Sequence, residues 1–458
     1  MPTASRPELT AAHLAAERWL DSLPTRKVPA EQGIESIAAA LAGPLPTQGL
    51  SAESVVEQLA AIVEPGLLAV NSGRFYGWVM GGTLPAALAA DWLVSAWDQN
   101  AGMRDATPGV IGVEDAAARW TLDALGLPPD AGVGFVTGAT MANFTGLASA
   151  RDHLLGALGW QVDRLGLSGA PRVRVLTGAE VHSSVDLALR YLGLGAAEHV
   201  AGDDQGRMDA GALDEALARS SAPTIVCAQA GNIHSGALDP FDRIVPLAHE
   251  AGAWVHVDGA FGLWAAAVPE LRPLMAGFEQ ADSWATDAHK TLNTPYDSGI
   301  AIVRDQAAIV RAFGHTADYL LHSTIPDPHE LVPEMSRRAR GVPVWAALAS
   351  LGSDGLIGLV SGLVRAAQAL AEGLAELPGA QVLNDVVYTQ VILAIADDAT
   401  TAAVLEAVLA EGTVRPSGSR WHGRGVIRFS VSNHSTDAAA VAQTVDAVAR
   451  AVRLVGVG

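Results

Sequence analysis

Cysteine is nearly absent. Cys227 is the single one in 458 residues, which excludes an internal disulfide framework and any zinc site built on several thiolates. Basic charge is scarce as well: 29 Lys and Arg face 49 Asp and Glu, for a formal net charge of −20. Such a surface repels phosphate backbones and anionic lipid, so neither a nucleic-acid nor a membrane partner is expected. The opening MPTASRPELT has no basic start followed by an apolar stretch, so no secretory signal is read there. Apolar runs read as broken by charge or glycine before about 18 residues, which predicts no membrane-spanning helix. No repeat or low-complexity segment stands out. The expectation is a soluble, cytoplasmic, globular protein, long enough for two or three domains of about 150 residues.

What is present is a change of pattern along the chain. Residues 1–75 read as a helical arm, with ELTAAHLAAERWLDSL at helical spacing and little core of its own, so it should pack on the rest of the chain or on a second subunit. From about residue 130, short runs rich in Val, Ile and Ala alternate with helical stretches: VGFVTG, RVRVLTG, PTIVCAQAG, WVHVDGA, ADSWATDAHK and SGIAIVR. Continuous apolar runs separated by helices predict an α/β fold around a buried, mostly parallel sheet. Residues 76–325 are taken as this large domain. Residues 305–345 read as an irregular connection, and 326–458 as linker plus a small C-terminal α+β domain, with a helix around 362–377.

In an open parallel sheet, ligands bind beyond the carboxyl ends of the strands. Four polar clusters fall there. Gly138, Ala139 and Thr140 in TGATMAN follow a strand and open a helix, which suits a phosphate, although Thr140 as a plain helix cap is the competing reading. His182 precedes a helix that Ser183 or Ser184 would cap. Asp258 sits among apolar neighbours in WVHVDGAFG, where a carboxylate needs a cationic or hydrogen-bonding partner. Ala260 leaves room beside it for a flat ligand. Lys290, next to His289, ends another apparently buried run, where a lysine is a competent amine nucleophile. His182, His256, Asp258 and His289 could instead hold a metal, a reading that leaves Lys290 and the phosphate cradle unexplained. Taken together, the four clusters match pyridoxal 5'-phosphate: a helix N-terminus for the phosphate, a carboxylate for the pyridine nitrogen and a lysine for a Schiff base.

From about residue 70 onward, the order and separation of these motifs resemble the pyridoxal-phosphate-dependent decarboxylases that act on aromatic amino acids, glutamate and histidine. HVDGA with His289–Lys290 beyond it resembles the family's aspartate–alanine strand and His–Lys pair, and HSS at 182–184 its ring-stacking histidine. SRR at 336–338 and IRFSVSN at 427–433 also resemble family positions. The resemblance implies a fold-type I, aspartate-aminotransferase-like architecture and a homodimer with shared active sites. It further implies that an L-amino acid loses its carboxyl group as CO₂. Another reaction at Cα is the alternative: decarboxylative C–C bond formation, oxidative deamination, retro-aldol cleavage or transamination.

By the same resemblance Lys290, His182 and Asp258 are catalytic. Gly138, Ala139, Thr140, Asn232, Ala260 and His289 are cofactor contacts, and Phe75, Trp78 and Arg428 lie toward the substrate. Phe75, Tyr76, Trp78 and Trp97 favour an apolar or aromatic substrate side chain, and no isolated arginine other than Arg74 argues for an acidic one. Two departures stand out. Where relatives carry a threonine at a strand end this chain has Gly231-Asn232. Where aromatic-amino-acid decarboxylases place a proton-donating tyrosine it has PDPHELVPEM, with His329 near that position as a catalytic candidate: either His329 takes over the proton donation, or the chemistry after the carboxyl group leaves differs. Tyr319 matches a different position.

Overall fold

A computed structural model describes residues 6–315 and 325–456; Tyr319 lies outside them. The chain opens with α1 (Pro7–Ser22), α2 (Ile34–Leu41) and α3 (Ala52–Val63), none of which has a buried residue. Two further helices follow, α4 (Pro85–Trp97) and α5 (Pro108–Leu125).

The large sheet comprises β1 (Gly132–Val136), β2 (Arg174–Gly178), β3 (Glu198–Val200), β4 (Thr224–Gln229), β5 (Trp254–Asp258), β6 (Ser283–Asp287) and β7 (Gly299–Val303), in the order β1-β7-β6-β5-β4-β2-β3. Every residue of β1, β2, β4, β5, β6 and β7 is buried, which is why these segments read as unbroken apolar runs rather than alternating ones. β7 alone runs against its neighbours β1 and β6; the other pairings are parallel. The carboxyl ends of β1, β2, β4, β5 and β6 therefore share one edge. The intervening helices are α6 (Ala139–Ala157), α7 (Val162–Leu165), α8 (Ser183–Leu192), α9 (Ala210–Ala218), α10 (Phe241–Glu250) and α11 (Gln306–Phe313).

The C-terminal part contains α12 (Gly341–Ala375), β8 (Ala380–Val382), β9 (Gln390–Ile395), α13 (Asp398–Glu411), β10 (Ser417–Trp421), β11 (Arg424–Ser430) and α14 (Ala438–Val455), with an antiparallel sheet in the order β10-β11-β9-β8. The expected irregular stretch at 305–345 is shorter than the pattern suggested. Asp305 caps α11 within it, its side chain accepting from the Ala307 amide, and α12 already begins at Gly341. The 35-residue α12 is interrupted at Gly352, whose φ of 60° breaks the helical path. Its most apolar stretch has a mean hydropathy of 1.6, enough by length and composition to cross a membrane. Gly352, Asp354, Gly355, Gly358 and Gly362 nevertheless break the helix sequence into shorter apolar runs, as expected from the sequence. In the fold, α12 packs against α4 and α5 at one end and α14 at the other.

The arm does not end cleanly at residue 75. Tyr76 is buried in the small domain's core against Phe429 and hydrogen-bonds Thr444. Arg74 donates to the carbonyls of Leu23, Pro24, Arg26 and Thr413, tying arm to small domain rather than facing a substrate.

Arg337, in the SRR motif, makes a two-pronged pair with Glu114, both side chains 4% exposed or less. It also holds the carbonyls of Ala101 and Phe135, while Glu114 accepts from the Gly341 amide. This knot joins α5, β1 and the start of α12. Arg337→Met strands a buried carboxylate and should cost about 3–5 kcal/mol of unfolding free energy in urea titrations. The double variant with Glu114→Leu should recover much of that loss.

Candidate active site

The shared strand edge opens into a cleft of about 330 Å³ lined by residues from five strand ends, Lys290, Asp258, His182 and Gly138–Met141 among them. Size and position suit a small cofactor.

At the end of β1, the chain turns through Gly138 into α6. Gly138 lies so close to β7 that a Cβ on Gly299 would fall 2.5 Å from its Cα. Gly138, at the N-cap position, has no side chain with which to cap α6. The first-turn amides of Thr140 and Met141 have no partner among the described residues, so the positive end of the helix faces the cleft open for an anion. Thr140 is thus not the plain cap of the competing reading.

His182 closes β2's loop differently from expectation. The imidazole itself caps α8: Nδ1 accepts from the Ser184 amide at 3.2 Å and lies 2.8 Å from the Ser184 hydroxyl. An accepting Nδ1 puts the ring proton on Nε2. Burial lowers the His182 pKa, with Lys290 and Arg428 acting in the same direction and Asp258 against.

Asp258 ends β5. Its Oδ1 accepts from the Ala260 amide and its Oδ2 from Asn143 Nδ2, both at 3.2 Å. Behind it lies a chain of contacts from Trp254 Nε1 to Ser283 Oγ, Ser283 to His256 Nδ1, and His256 Nε2 to Asn143 Oδ1. One assignment of protons satisfies every member: each group donates toward Asp258, and His256 is neutral. Gly146 permits this, since a Cβ there would lie 2.7 Å from the imidazole. His256 thus serves the carboxylate from behind, and no cluster of three His, Cys, Asp or Glu suited to a metal occurs among the described residues.

Lys290 follows β6. Its Nζ is 3.0 Å from Asp287 Oδ2, while Asp287 Oδ1 accepts from the Ala139 amide at 2.6 Å. Two oxygens of one carboxylate therefore bridge the amine and the helix N-terminus. His289 stacks on Tyr296 with ring centroids 4.0 Å apart, and its Nδ1 accepts from the Ser298 amide. Burial depresses the His289 pKa and Asp287 partly restores it. Asp287 and Asn143 carried no assignment from sequence. A carboxylate three residues before the lysine, on a buried strand end, was the available signal for the first.

Trp78 and Ala260 line the cleft, Trp78 with the Arg415 guanidinium 4.6 Å over its ring. Arg428, on β11, is buried and does not itself line the cleft. It donates to the carbonyl of Ile233, which lines the cleft, and its Nε has no partner.

Three other candidates do not line the cleft. Phe75 is fully buried with Val28 and Ala69, its backbone paired beside Arg415, which turns the ring inward. Asn232 is turned away: its Oδ1 holds the His234 and Ser235 amides, and its Nδ2 donates to Glu180. Gly231 reaches the cleft in its place. His329 is 4% exposed on a short turn fixed to the Gly102 carbonyl, with its ring beside His315 and no hydrogen-bond partner of its own.

Burial pushes the His256 pKa down to about 3 and His234 down to about 4, with Arg428 assisting in the second case. Unfolded histidine titrates near 6.5, so below that pH the unfolded chain binds protons the folded one refuses, and stability falls as pH drops. Asp239, raised by burial to about 6, works in the opposite sense between about pH 6 and 4 and offsets part of the loss. Between pH 6 and 4.5, urea unfolding of the wild type should lose on the order of 1 kcal/mol per pH unit more than His256→Gln. Equal slopes would remove His256 as the source.

Pyridoxal phosphate is the group these donors fit. An open helix N-terminus suits its phosphate, the amine beside it suits the adjacent aldehyde, and a carboxylate with donors ranked behind it suits a ring nitrogen. The sheet order and the small C-terminal domain make this a fold-type I pyridoxal-phosphate protein. The profile of the pyridoxal-dependent decarboxylase conserved domain matches residues 36–395, and the chain belongs to that family. It is 27% identical over 333 residues to acidic amino acid decarboxylase from Bos taurus, covering 70% of this chain and 63% of that one. To L-2,4-diaminobutyrate decarboxylase from Rhizobium meliloti it is 30% identical, covering 63% and 58%. The chain thus spans about three fifths of the length of these curated relatives. Among solved structures, Oryza sativa TDC with PLP and tryptamine superposes with a TM-score of 0.91 at 22% identity, covering 99% of both chains.

Proposed function

We propose that this protein removes the α-carboxyl group of a free L-amino acid as CO₂, leaving the amine. The observation that carries the reading is the convergence of Lys290, the open N-terminus of α6 and the hydrogen-bonded Asp258 on one cleft. Bound there, pyridoxal phosphate supplies an electron sink for the pair left at Cα when the carboxyl group departs.

The chain's own residues do the rest. Lys290 provides the amine that fastens the cofactor. Thr140 and Met141 offer their amides to its phosphate. Asp258 would hold the proton of the ring nitrogen, and Asn143, with His256 behind it, aims that carboxylate. His182 lines the same cleft and presents a proton on Nε2, which could return one to Cα once CO₂ has left. His329, remote from the cleft within one chain, is not needed for that step. Arg428 acts from behind the cleft, holding the carbonyl of Ile233 in its wall. Trp78, Val79, Ile233 and Phe261 offer an apolar wall, which favours an apolar or aromatic side chain over an acidic one.

The same reading includes a homodimer. α1, α2 and α3 expose Leu9, Leu14, Ile34, Leu41, Val55 and Leu59, and Trp92 and Trp97 are exposed on α4. A second copy would bury these positions, and light scattering of the purified protein at micromolar concentration tests it.

The deciding experiment screens L-amino acids for CO₂ release, with amine, aldehyde and peroxide measured together. Amine and CO₂ in equal amounts support decarboxylation. Aldehyde with peroxide, or a keto acid, assigns the cleft to another reaction at Cα.

A further inference from the structure

Asp287 stands where its charge is least welcome for a phosphate. It is 2% exposed and lines the cleft. Its Oδ1 takes the Ala139 amide, the first of the three first-turn amides that α6 points at the cleft. Its side chain also crowds the turn, with Oδ1 3.4 Å from where a Cβ on Gly138 would stand. The other oxygen grips Lys290, and His289 Nε2 lies 3.5 Å from the same atom. The carboxylate is thus fixed from both sides, and it occupies one anion-binding position with an anion of its own.

We propose that Asp287 competes with the cofactor's phosphate for the N-terminus of α6 and thereby sets how tightly the protein retains pyridoxal phosphate. The inference rests on the cofactor assignment above. A phosphate entering the cradle meets two open amides instead of three and a like charge within a few ångströms. Like charges at such separation inside a protein oppose binding far more than they do in water. Either the phosphate settles on Thr140 and Met141 alone, or Asp287 must release Ala139. Both weaken the phosphate's hold relative to a neutral side chain at this position. The expected behaviour is a cofactor that exchanges readily with the free pool.

The probes are inorganic phosphate, pyridoxal phosphate and pyridoxal, the last lacking the phosphate. Asp287→Asn should bind inorganic phosphate about tenfold or more tightly than the wild type, read by thermal shift or calorimetry on apo protein. Its preference for pyridoxal phosphate over pyridoxal, read from the absorbance of the bound chromophore, should rise by a similar factor. Any effect of losing Lys290's partner is common to both aldehydes and cancels in that ratio. Asp287→Ala should change in the same direction and Asp287→Glu should not, so a folding defect in one variant leaves the test intact. Unchanged phosphate affinity and an unchanged ratio in folded Asn and Ala variants overturn the proposal. Failure of the wild type to take up pyridoxal phosphate at all, with no adduct fixed at Lys290 by borohydride, overturns the cofactor reading itself, a separate and recognisable result.

Discussion

Lys290→Ala should lower turnover by at least about 10³-fold, because it removes the amine through which the cofactor is seated and exchanged for substrate. The fold should survive, since Lys290 is partly exposed and its partner Asp287 keeps the Ala139 amide. Charge and chemistry can be separated at this position. Lys290→Arg preserves a cation beside Asp287 yet cannot make the covalent bond, so it should be as inactive as the alanine variant while melting close to the wild type. Borohydride should fix the chromophore to the peptide containing Lys290 in the wild type and to no peptide in either variant. Fixation elsewhere, or an arginine variant with more than about a tenth of normal turnover, would remove Lys290 from the role.

The clarity of that prediction reflects how a parallel sheet writes itself into sequence. β1, β2, β4, β5, β6 and β7 are buried along their full length, so each left a compact apolar run, and the polar residue ending each run marked the edge where ligands bind. Lys290, Asp258, His182 and the 138–140 turn were legible on that ground. Elements with mixed exposure were not. β10 alternates between buried and exposed positions across only five residues, and the start of α12 is hidden by Pro343 and by the glycines at 352, 355 and 358. Phe75, Asn232 and His329 show a different limit. They were placed by position relative to a family, whereas the direction of each side chain follows from a backbone pairing or turn formed with distant residues: Arg415 for Phe75, Glu180 for Asn232, Gly102 for His329. Asn143 was inside a quoted motif, yet its function depends on His256 approaching across Gly146, a contact between residues 113 positions apart.

That contact underlies the second large effect. Asp258→Asn should reduce turnover by about 10²- to 10⁴-fold while leaving the protein coloured and KM within a few-fold of normal. The amide fills the same space but carries no charge to hold a proton on the ring nitrogen, and the Nδ2 donor of Asn143 would then face a neutral group. Loss of colour would mean instead that Asp258 serves retention of the cofactor more than its chemistry. Asn143→Ala and His256→Gln leave the carboxylate in place and disturb only its aim, so each should cost about tenfold. The pair should not be additive with Asp258→Asn, because once the charge is gone there is nothing left for the chain behind it to orient. Additive losses would show that Asn143 and His256 act on the reaction by a route independent of Asp258, for instance through the Asn143 contact to Ser184 beside His182.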